Sequence, residues 1–145
     1  MTDEQIKGAI RGFLKAVVAG DAQALSFLAP EVTSVGPGTT FKGPADVVGY
    51  FNKIRKVAPD FKITENGMGI SVTGNVGVIE HDLSGTTNGK KWVLPATCVY
   101  EFKGDKIWAV RTFYDRLSLA QQSVKGWFPK MAVNMVANGM EKQMR

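Results

Sequence analysis

Apolar residues recur at helical spacing from the start of the chain. Thr2, with Gln5 three residues later, matches a capping box, and Gly20 suits a helix end. One stripe between them carries the apolar side chains Ile6, Ile10, Phe13, Leu14, Val17 and Val18. The pattern predicts an amphipathic first helix that ends at Gly20.

Two further helices are predicted before the pattern changes. Asp21 can cap a short helix that reaches Leu28, with Pro30 just beyond its end. The segment EVTSV is typical of a short strand, and the following GPGTTFKG is typical of a loop. Pro44 needs no amide hydrogen in a first helical turn, so we expect a third helix from there to about Val57.

Beyond the third helix the apolar pattern becomes that of strands. The separators TGN, TTNG and KGD have the turn chemistry of antiparallel hairpins. The predicted strands are Phe61 to about Val72, Asn75 to Thr86, Lys90 to Phe102, and Lys106 to Asp115. Helices followed by such a meander predict an α+β domain, with helices packed on one face of a bent sheet.

The tail from Trp127 returns to helical spacing. One side carries Phe128, Met131, Ala132, Met135 and Val136, and the methionines of the segment are Met131, Met135, Met140 and Met144. Methionine-rich faces can serve as adaptable binding surfaces. Ordinary packing, against this subunit or a dimer partner, is the interpretation we prefer.

Composition narrows the class of protein. A length of 145 residues fits one domain, and no apolar run approaches the roughly 20 residues of a membrane span. The opening MTDEQIKGAI is not a signal peptide, so we expect cytoplasmic residence and no membrane partner. A single cysteine, Cys98, and a single histidine give no disulfide framework and no metal-ligand spacing, so neither a metal nor a cofactor is expected.

The net charge of +5 raises the question of a nucleic-acid partner. Lys7, Arg11 and Lys15 recur every four residues and would line one face of the first helix. No recognition motif accompanies them, and no aromatic residues interleave with them as a base-stacking platform requires. We interpret the basic stripe as a solvated helix face, with an acidic partner as the alternative, and expect no nucleic acid.

Two strings resemble one protein family. FKGPADVVGYF is similar to the loop-and-helix signature of the SnoaL-like branch of the nuclear-transport-factor-2-like superfamily, in which a glycine precedes the helix with an aromatic pair. VYEFKGDKIWAVRTFYDRLSL is similar to that branch's last hairpin and closing strand. The closing triplet is here Phe113, Tyr114 and Asp115. The resemblance covers about residues 3 to 120.

The resemblance implies a fold and an assembly. It implies a cone-shaped, curved, mixed or antiparallel sheet wrapped by N-terminal helices around a pocket, with an extra C-terminal helix. The expected domain is 1–120, and 121–145 is expected to be a helical extension packed on the domain or on a dimer partner. Family members are commonly homodimers. They include ketosteroid isomerases, limonene-type epoxide hydrolases, polyketide cyclases and proteins that only bind, so the fold does not fix an activity.

Side chains alternate across a strand, which predicts the pocket lining. By resemblance, one face of the closing strand lines the cavity, and Pro95 is a point where the preceding strand can lose its alternation. The expected lining is Phe51, Ile79, His81, Leu83, Trp92, Ala96, Cys98, Tyr100, Trp108, Val110, Thr112 and Tyr114. This cavity is apolar and aromatic with few polar points, which suits a small apolar or amphipathic ligand.

The catalytic residues known in the family do not carry over to this chain. The aspartate that serves epoxide hydrolases and SnoaL-type cyclases falls at Thr112, whose hydroxyl is no base near neutral pH. The ketosteroid isomerase base falls at Ser34, and its protonated acid falls at Cys98. The usual mechanisms therefore lose their central groups.

One proton carrier remains among the expected lining residues. His81 has an ordinary pKa near 6.5 and could act as a base beside Thr112 or Tyr114. We therefore predict a small-molecule-binding domain whose catalysis, if present, is proton transfer in an isomerase, cyclase or hydrolase that uses His81. The alternatives are a hydrogen-bonded structural histidine and a non-catalytic ligand-binding or interaction module.

Two further residues have a predicted structural role. Asp115 ends the closing strand just before LSLAQQ and is expected to cap the turn that follows. Arg111 lies on the strand face opposite the cavity and is expected to pair with Glu80 or Asp82 across the sheet. Neither residue is expected to take part in chemistry.

Overall fold

The computed structural model describes residues 1–144, so Arg145, at the end of the predicted extension, lies outside the described residues. A 3₁₀ helix spans Ala22–Phe27 between the first helix and the first strand. The other elements are α1 (Asp3–Ala19), β1 (Leu28–Gly36), β2 (Thr39–Lys42), α2 (Pro44–Val57), β3 (Lys62–Thr73), β4 (Val76–Thr87), β5 (Lys90–Lys103), β6 (Lys106–Tyr114), α3 (Arg116–Ser123) and α4 (Trp127–Met144).

The strands form one six-stranded mixed sheet in the order β2-β1-β6-β5-β4-β3. Only β1 and β6 are parallel neighbours, and every other pair is antiparallel. The β3–β4 ladder shifts register between Glu65 and Ile70, where Gly67 and Gly69 adopt positive φ angles of 59° and 75°. Such bulges bend strands and strengthen twist. The α+β class and the curved, unclosed sheet confirm the predicted fold.

Helix α1 lies on the concave face of the sheet as the sequence predicts. The Thr2 hydroxyl accepts from the Gln5 amide at 3.3 Å, and the Thr2 amide donates to Gln5 Oε1 at 2.8 Å, which completes the capping box. The helix approaches β4 closely at Gly77, where an added Cβ would lie 2.4 Å from Ile10 Cδ1 and 3.1 Å from Ile6 Cγ2. This contact lets the apolar stripe enter the core.

Two segments differ from the prediction. Helix α2 begins at Pro44 and ends at Val57 as expected, but Thr39–Lys42, predicted as loop, forms β2 and pairs with the end of β1. The segment after β6 forms the short helix α3, which the pattern did not predict. Asp115 caps it by accepting from the amides of Leu117 (2.8 Å) and Ser118 (3.1 Å), and this confirms the predicted capping role.

Helix α4 is little buried despite its apolar residues. None of its described residues is buried, and Phe128 and Met135 are 67% and 68% exposed. It contacts α3, where Gln121 Nε2 donates to Asn134 Oδ1 at 3.3 Å. Over residues 1–144, α4 included, no helix combines the length and apolarity that a bilayer crossing requires.

Candidate functional site

A narrow cavity lies between helices α1 and α2 and the concave face of the sheet. Its volume is about 60 Å³, and on the same scale one water molecule requires roughly 10–15 Å³. Most of the predicted site residues line it, namely Phe51, His81, Cys98, Tyr100, Val110, Thr112 and Tyr114. His81, Cys98 and Tyr100 are buried at the floor, while Thr112 and Tyr114 are half-buried.

Trp108 does not line the cavity, so its predicted place was wrong. The β5–β6 ladder pairs Glu101 with Ala109 and then Phe102 with Ile107, and this step skips Trp108. The irregularity turns the Trp108 side chain to the outer face, where it is 37% exposed, and Ile107 takes the inward position. Strict alternation along β6 therefore fails at this one residue.

Trp92 also lies outside the cavity, although its strand keeps its alternation. Pro95 sits within β5 opposite Asp82 and does not break the ladder. Trp92 is buried beyond the cavity, with its ring centroid 6.4 Å from that of Phe61 and its Nε1 donating to Thr87 Oγ1 at 3.0 Å. Its predicted contact with a ligand in the cavity is not what the geometry shows.

A second cavity of about 230 Å³ lies next to the first. Trp92 and Leu119 belong to its lining and not to that of the narrow cavity. The residues that line both are Tyr50, Ile54, Phe61, Leu83 and Tyr114. The narrow cavity is called the inner cavity below, and its neighbour the outer cavity.

Arg111 pairs on the outer face of the sheet with Glu101, not with the predicted Glu80 or Asp82. The ladder sets Arg111 opposite Val99, so Glu101 is its diagonal neighbour on the adjacent strand. Its guanidinium therefore contributes no charge to the cavity.

Three polar side chains meet at the floor of the inner cavity. Cys98 Sγ lies 3.2 Å from Thr112 Oγ1 and 3.9 Å from His81 Nε2. Burial raises the pKa of the Cys98 thiol to about 11, while its contacts with Thr112 and Tyr100 lower it in part. The thiol is therefore protonated at neutral pH and acts as a weak hydrogen-bonding group, not as a nucleophile.

His81 is the most buried polar side chain of the site, at 1% exposure. Burial lowers its pKa below the usual 6.5, and the Ile79 backbone and the Asp82 charge offset part of that effect. Its Nδ1 has no hydrogen-bond partner of acceptable geometry among the described residues. The imidazole is therefore neutral at neutral pH and can accept a proton or a hydrogen bond.

Tyr50 is a lining residue that the sequence interpretation missed. Its ring lies on that of Phe41, with centroids 4.8 Å apart and planes 30° apart. Burial first, and a hydrogen bond with Tyr114 second, raise its pKa, so the phenol keeps its proton. Its signal was the aromatic pair in FKGPADVVGYF, of which only Phe51 was selected, yet both side chains reach the cavity.

The inner cavity carries no formal charge. Its lining, all within the described residues, contains no Asp, Glu, Lys or Arg side chain. Ser34 and Thr112, at positions where relatives were expected to place carboxylates, both line it. The arrangement can hold an uncharged molecule by apolar contact and a few neutral hydrogen bonds, with His81 as its one proton acceptor of suitable strength.

An α+β domain with a curved six-stranded sheet around an apolar cavity is the architecture of the nuclear-transport-factor-2-like proteins. The family model of the SnoaL-like domain matches residues 10–110, and the chain belongs to that family. A comparison with curated proteins found no match.

Several solved structures share the fold. A nuclear-transport-factor-2-like protein from Burkholderia pseudomallei K96243 is 16% identical, with a TM-score of 0.75 over 86% of this chain and all (100%) of that one. A Catenulispora acidiphila DSM 44928 protein with a ketosteroid isomerase-like fold, in complex with trimethylamine, is 16% identical, with a TM-score of 0.70 over 79% of this chain and 91% of that one. TerC, co-crystallised with polyporic acid, is 16% identical, with a TM-score of 0.72 over 81% and 97%.

Proposed function

We propose that this domain binds a small, largely apolar and uncharged molecule in the inner cavity. The observation that carries the proposal is the lining, which is aromatic and aliphatic with neutral polar points only. An ionised ligand would lose its hydration there without gaining a counter-charge. Structures of this fold with trimethylamine and with polyporic acid support a binding role.

A matched pair of one-ring probes tests this function. Acetophenone is uncharged and benzoate is charged, while the two are close in size. We expect acetophenone to raise the melting temperature of the protein and benzoate to leave it unchanged. Thr112→Phe, which fills the cavity, should abolish the shift, while Thr97→Phe on the neighbouring strand, outside the lining, should keep it. Equal binding of both probes, or acetophenone binding that survives Thr112→Phe, contradicts the proposal.

Catalysis at this site, in our proposal, is proton transfer by His81. A neutral, buried imidazole is the form that a general base requires. Thr112 and Tyr114 line the same cavity, and in this proposal they orient a ligand oxygen. The readout is exchange of the methyl protons of acetophenone for deuterium in D₂O, followed by NMR. We expect protein-dependent exchange that is lost in His81→Gln, with acetophenone binding retained.

The pH dependence of that exchange has a defined sign. The base form of His81 dominates above its pKa, which burial places below 6.5. The rate should therefore be level near pH 7 to 8 and should fall only when the pH drops through that lowered pKa. An identical rate in wild type and His81→Gln would exclude His81 as the base and leave a binding protein without this activity.

A second candidate function, an interaction module, is favoured by the exposure of α4. An isolated helix of fewer than roughly 12–15 residues is marginal in water, and one of 18 residues gains most of its stability from packing. We propose that α4 (Trp127–Met144) packs on a second copy of the chain. The apolar residues left to be covered include Trp127, Phe128, Met131, Met135 and Val136.

Sedimentation equilibrium separates this proposal from its rivals. The wild type should be a dimer, and Met131→Glu with Met135→Glu should make it a monomer with an unchanged circular dichroism spectrum of the sheet. Met68→Glu is the matched control, because Met68 is 92% exposed on β3, away from α4. A monomeric wild type, or a dimer that withstands the double substitution, excludes α4 as the interface.

A further inference from the structure

The inner and outer cavities share one wall. The shared residues are Tyr50 and Ile54 of α2, Phe61 before β3, Leu83 of β4 and Tyr114 of β6. The inner cavity has a volume of about 60 Å³, and the outer cavity has about 230 Å³ on the same scale. The two cavities therefore adjoin each other at these five residues.

The shared wall carries its polar groups at one point. Tyr50 and Tyr114 place their phenols there, while Ile54, Phe61 and Leu83 are apolar. A protonated phenol donates to a ligand oxygen. Beyond the wall, Trp92 and Leu119 extend the apolar surface of the outer cavity, and the Trp92 indole is already held by Thr87.

We propose that one ligand occupies both cavities, and that it is an uncharged molecule with two apolar, ring-sized parts joined through a hydrogen-bond-accepting oxygen. One part fills the inner cavity, the second lies against Trp92 and Leu119, and the oxygen accepts from Tyr50 or Tyr114. The inference rests on the proposed function, since it extends the same ligand beyond the inner cavity. Trp92 then contacts the ligand in the outer cavity, whereas the sequence predicted that contact in the inner cavity.

Three probes of graded structure test the proposal in the full chain. Acetophenone has one ring and a carbonyl, benzophenone has two rings about a carbonyl, and diphenylmethane has two rings without oxygen. Ser123→Phe narrows the outer cavity without touching the inner lining, and Ser118→Phe is its control on the same helix, outside both linings. Affinities are measured by quenching of Trp92 in a Trp108→Phe, Trp127→Phe background and, for acetophenone, by calorimetry.

We expect Ser123→Phe to lower the affinity for benzophenone on the order of tenfold, which corresponds to the contribution of about one ring. The affinity for acetophenone should fall by less than about twofold. Ser118→Phe should change neither affinity. Leu119→Ala removes one contact of the outer cavity without adding volume, so it should lower the affinity for benzophenone and not for acetophenone. This variant tests the outer cavity independently of any change that Ser123→Phe causes in α3. The ratio of benzophenone to diphenylmethane affinity should fall by roughly fivefold in Tyr50→Phe with Tyr114→Phe, because the acceptor oxygen then has no donor.

The failures are distinguishable. Benzophenone binding that is indifferent to Ser123→Phe and Leu119→Ala overturns the two-cavity ligand while the proposed function stands. Equal weakening of both ketones overturns it as well, because the outer cavity would then be a separate site. An unchanged benzophenone-to-diphenylmethane ratio in the double tyrosine variant overturns the place of the oxygen. Absence of binding by every probe contradicts the proposed function itself.

Discussion

Helices α1 and α4 are nearly equal in length, at 17 and 18 residues, and both carry apolar residues at helical spacing. Their surroundings differ completely. Helix α1 buries Ile6, Ile10, Phe13, Leu14, Ala16 and Val17. Helix α4 buries none of its described residues. An apolar stripe therefore predicts a helix but does not show which surface packs against it. That packing depends on a complementary surface elsewhere in the chain or in a partner.

The complementary surface for α1 is specific. Gly77 on β4 leaves space that the tips of Ile10 and Ile6 fill, and Arg11 makes a bidentate ion pair with Glu65 on β3 at 2.9 and 2.7 Å. The described part of α4 meets α3, the short helix that follows the sheet.

The largest difference is expected for truncation of an apolar side chain. Ile10→Ala removes a fully buried side chain from α1 and should lower the free energy of unfolding by about 2–5 kcal/mol. Met135→Ala in α4 should change it by less than about 0.5 kcal/mol at protein concentrations where the chain is monomeric. Urea unfolding followed by circular dichroism measures both. Similar losses at the two sites would contradict the contrast in packing.

An intermediate effect is expected when a methyl group is added, and its sign should differ between the two regions. Gly77→Ala forces Ile10 and Ile6 aside beneath α1, which should cost roughly 1–3 kcal/mol. Gly139→Ala lies in open space within α4 and should stabilise that helix by roughly 0.5–1 kcal/mol. Thermal unfolding of the two variants at equal concentration gives the comparison, and a shared sign would refute it.

The smallest effect concerns the ion pair that ties α1 to the sheet. The hydrogen bond and charge of Arg11 lower the pKa of Glu65 below its usual 4.5. The contribution of Glu65 to stability is therefore complete above about pH 4.5 and is lost as the pH falls through the lower folded value. Between pH 6 and pH 3 the wild type should lose more in melting temperature than Glu65→Gln does. High salt should reduce this difference in melting-temperature loss between wild type and Glu65→Gln, because the ion pair is largely exposed.

Sequence patterns predicted a helix or strand correctly where the residues that determine it all lie within that segment. The capping box at Thr2, the proline that opens α2 and the turns between β3 and β6 place those elements within a residue or two. Strand β2 was missed because its pairing with Val35 and Gly36 is a tertiary property of a four-residue segment with turn-like composition. Helix α3 was missed because its polar sequence has little periodicity.

The site was only partly accessible to the same rules. Alternation along β4 and β5 placed His81, Cys98 and Tyr100 correctly in the lining, since those ladders are regular there. It failed at Trp108, because the shift opposite Glu101 is a feature of two strands together. The division into two cavities depends on how α2 and α3 close the end of the sheet, and no periodicity within one segment contains that information.

The environment of Cys98 has a practical consequence for measuring α4. The only thiol of the chain is buried and, with a pKa of about 11, is protonated at the pH of maleimide labelling. The native protein thus provides a nearly unreactive background, and cysteines introduced on exposed positions of α4 and β3 can be labelled without removing Cys98. Spin-label distances from such pairs would then report where α4 lies in solution, within one molecule and between two.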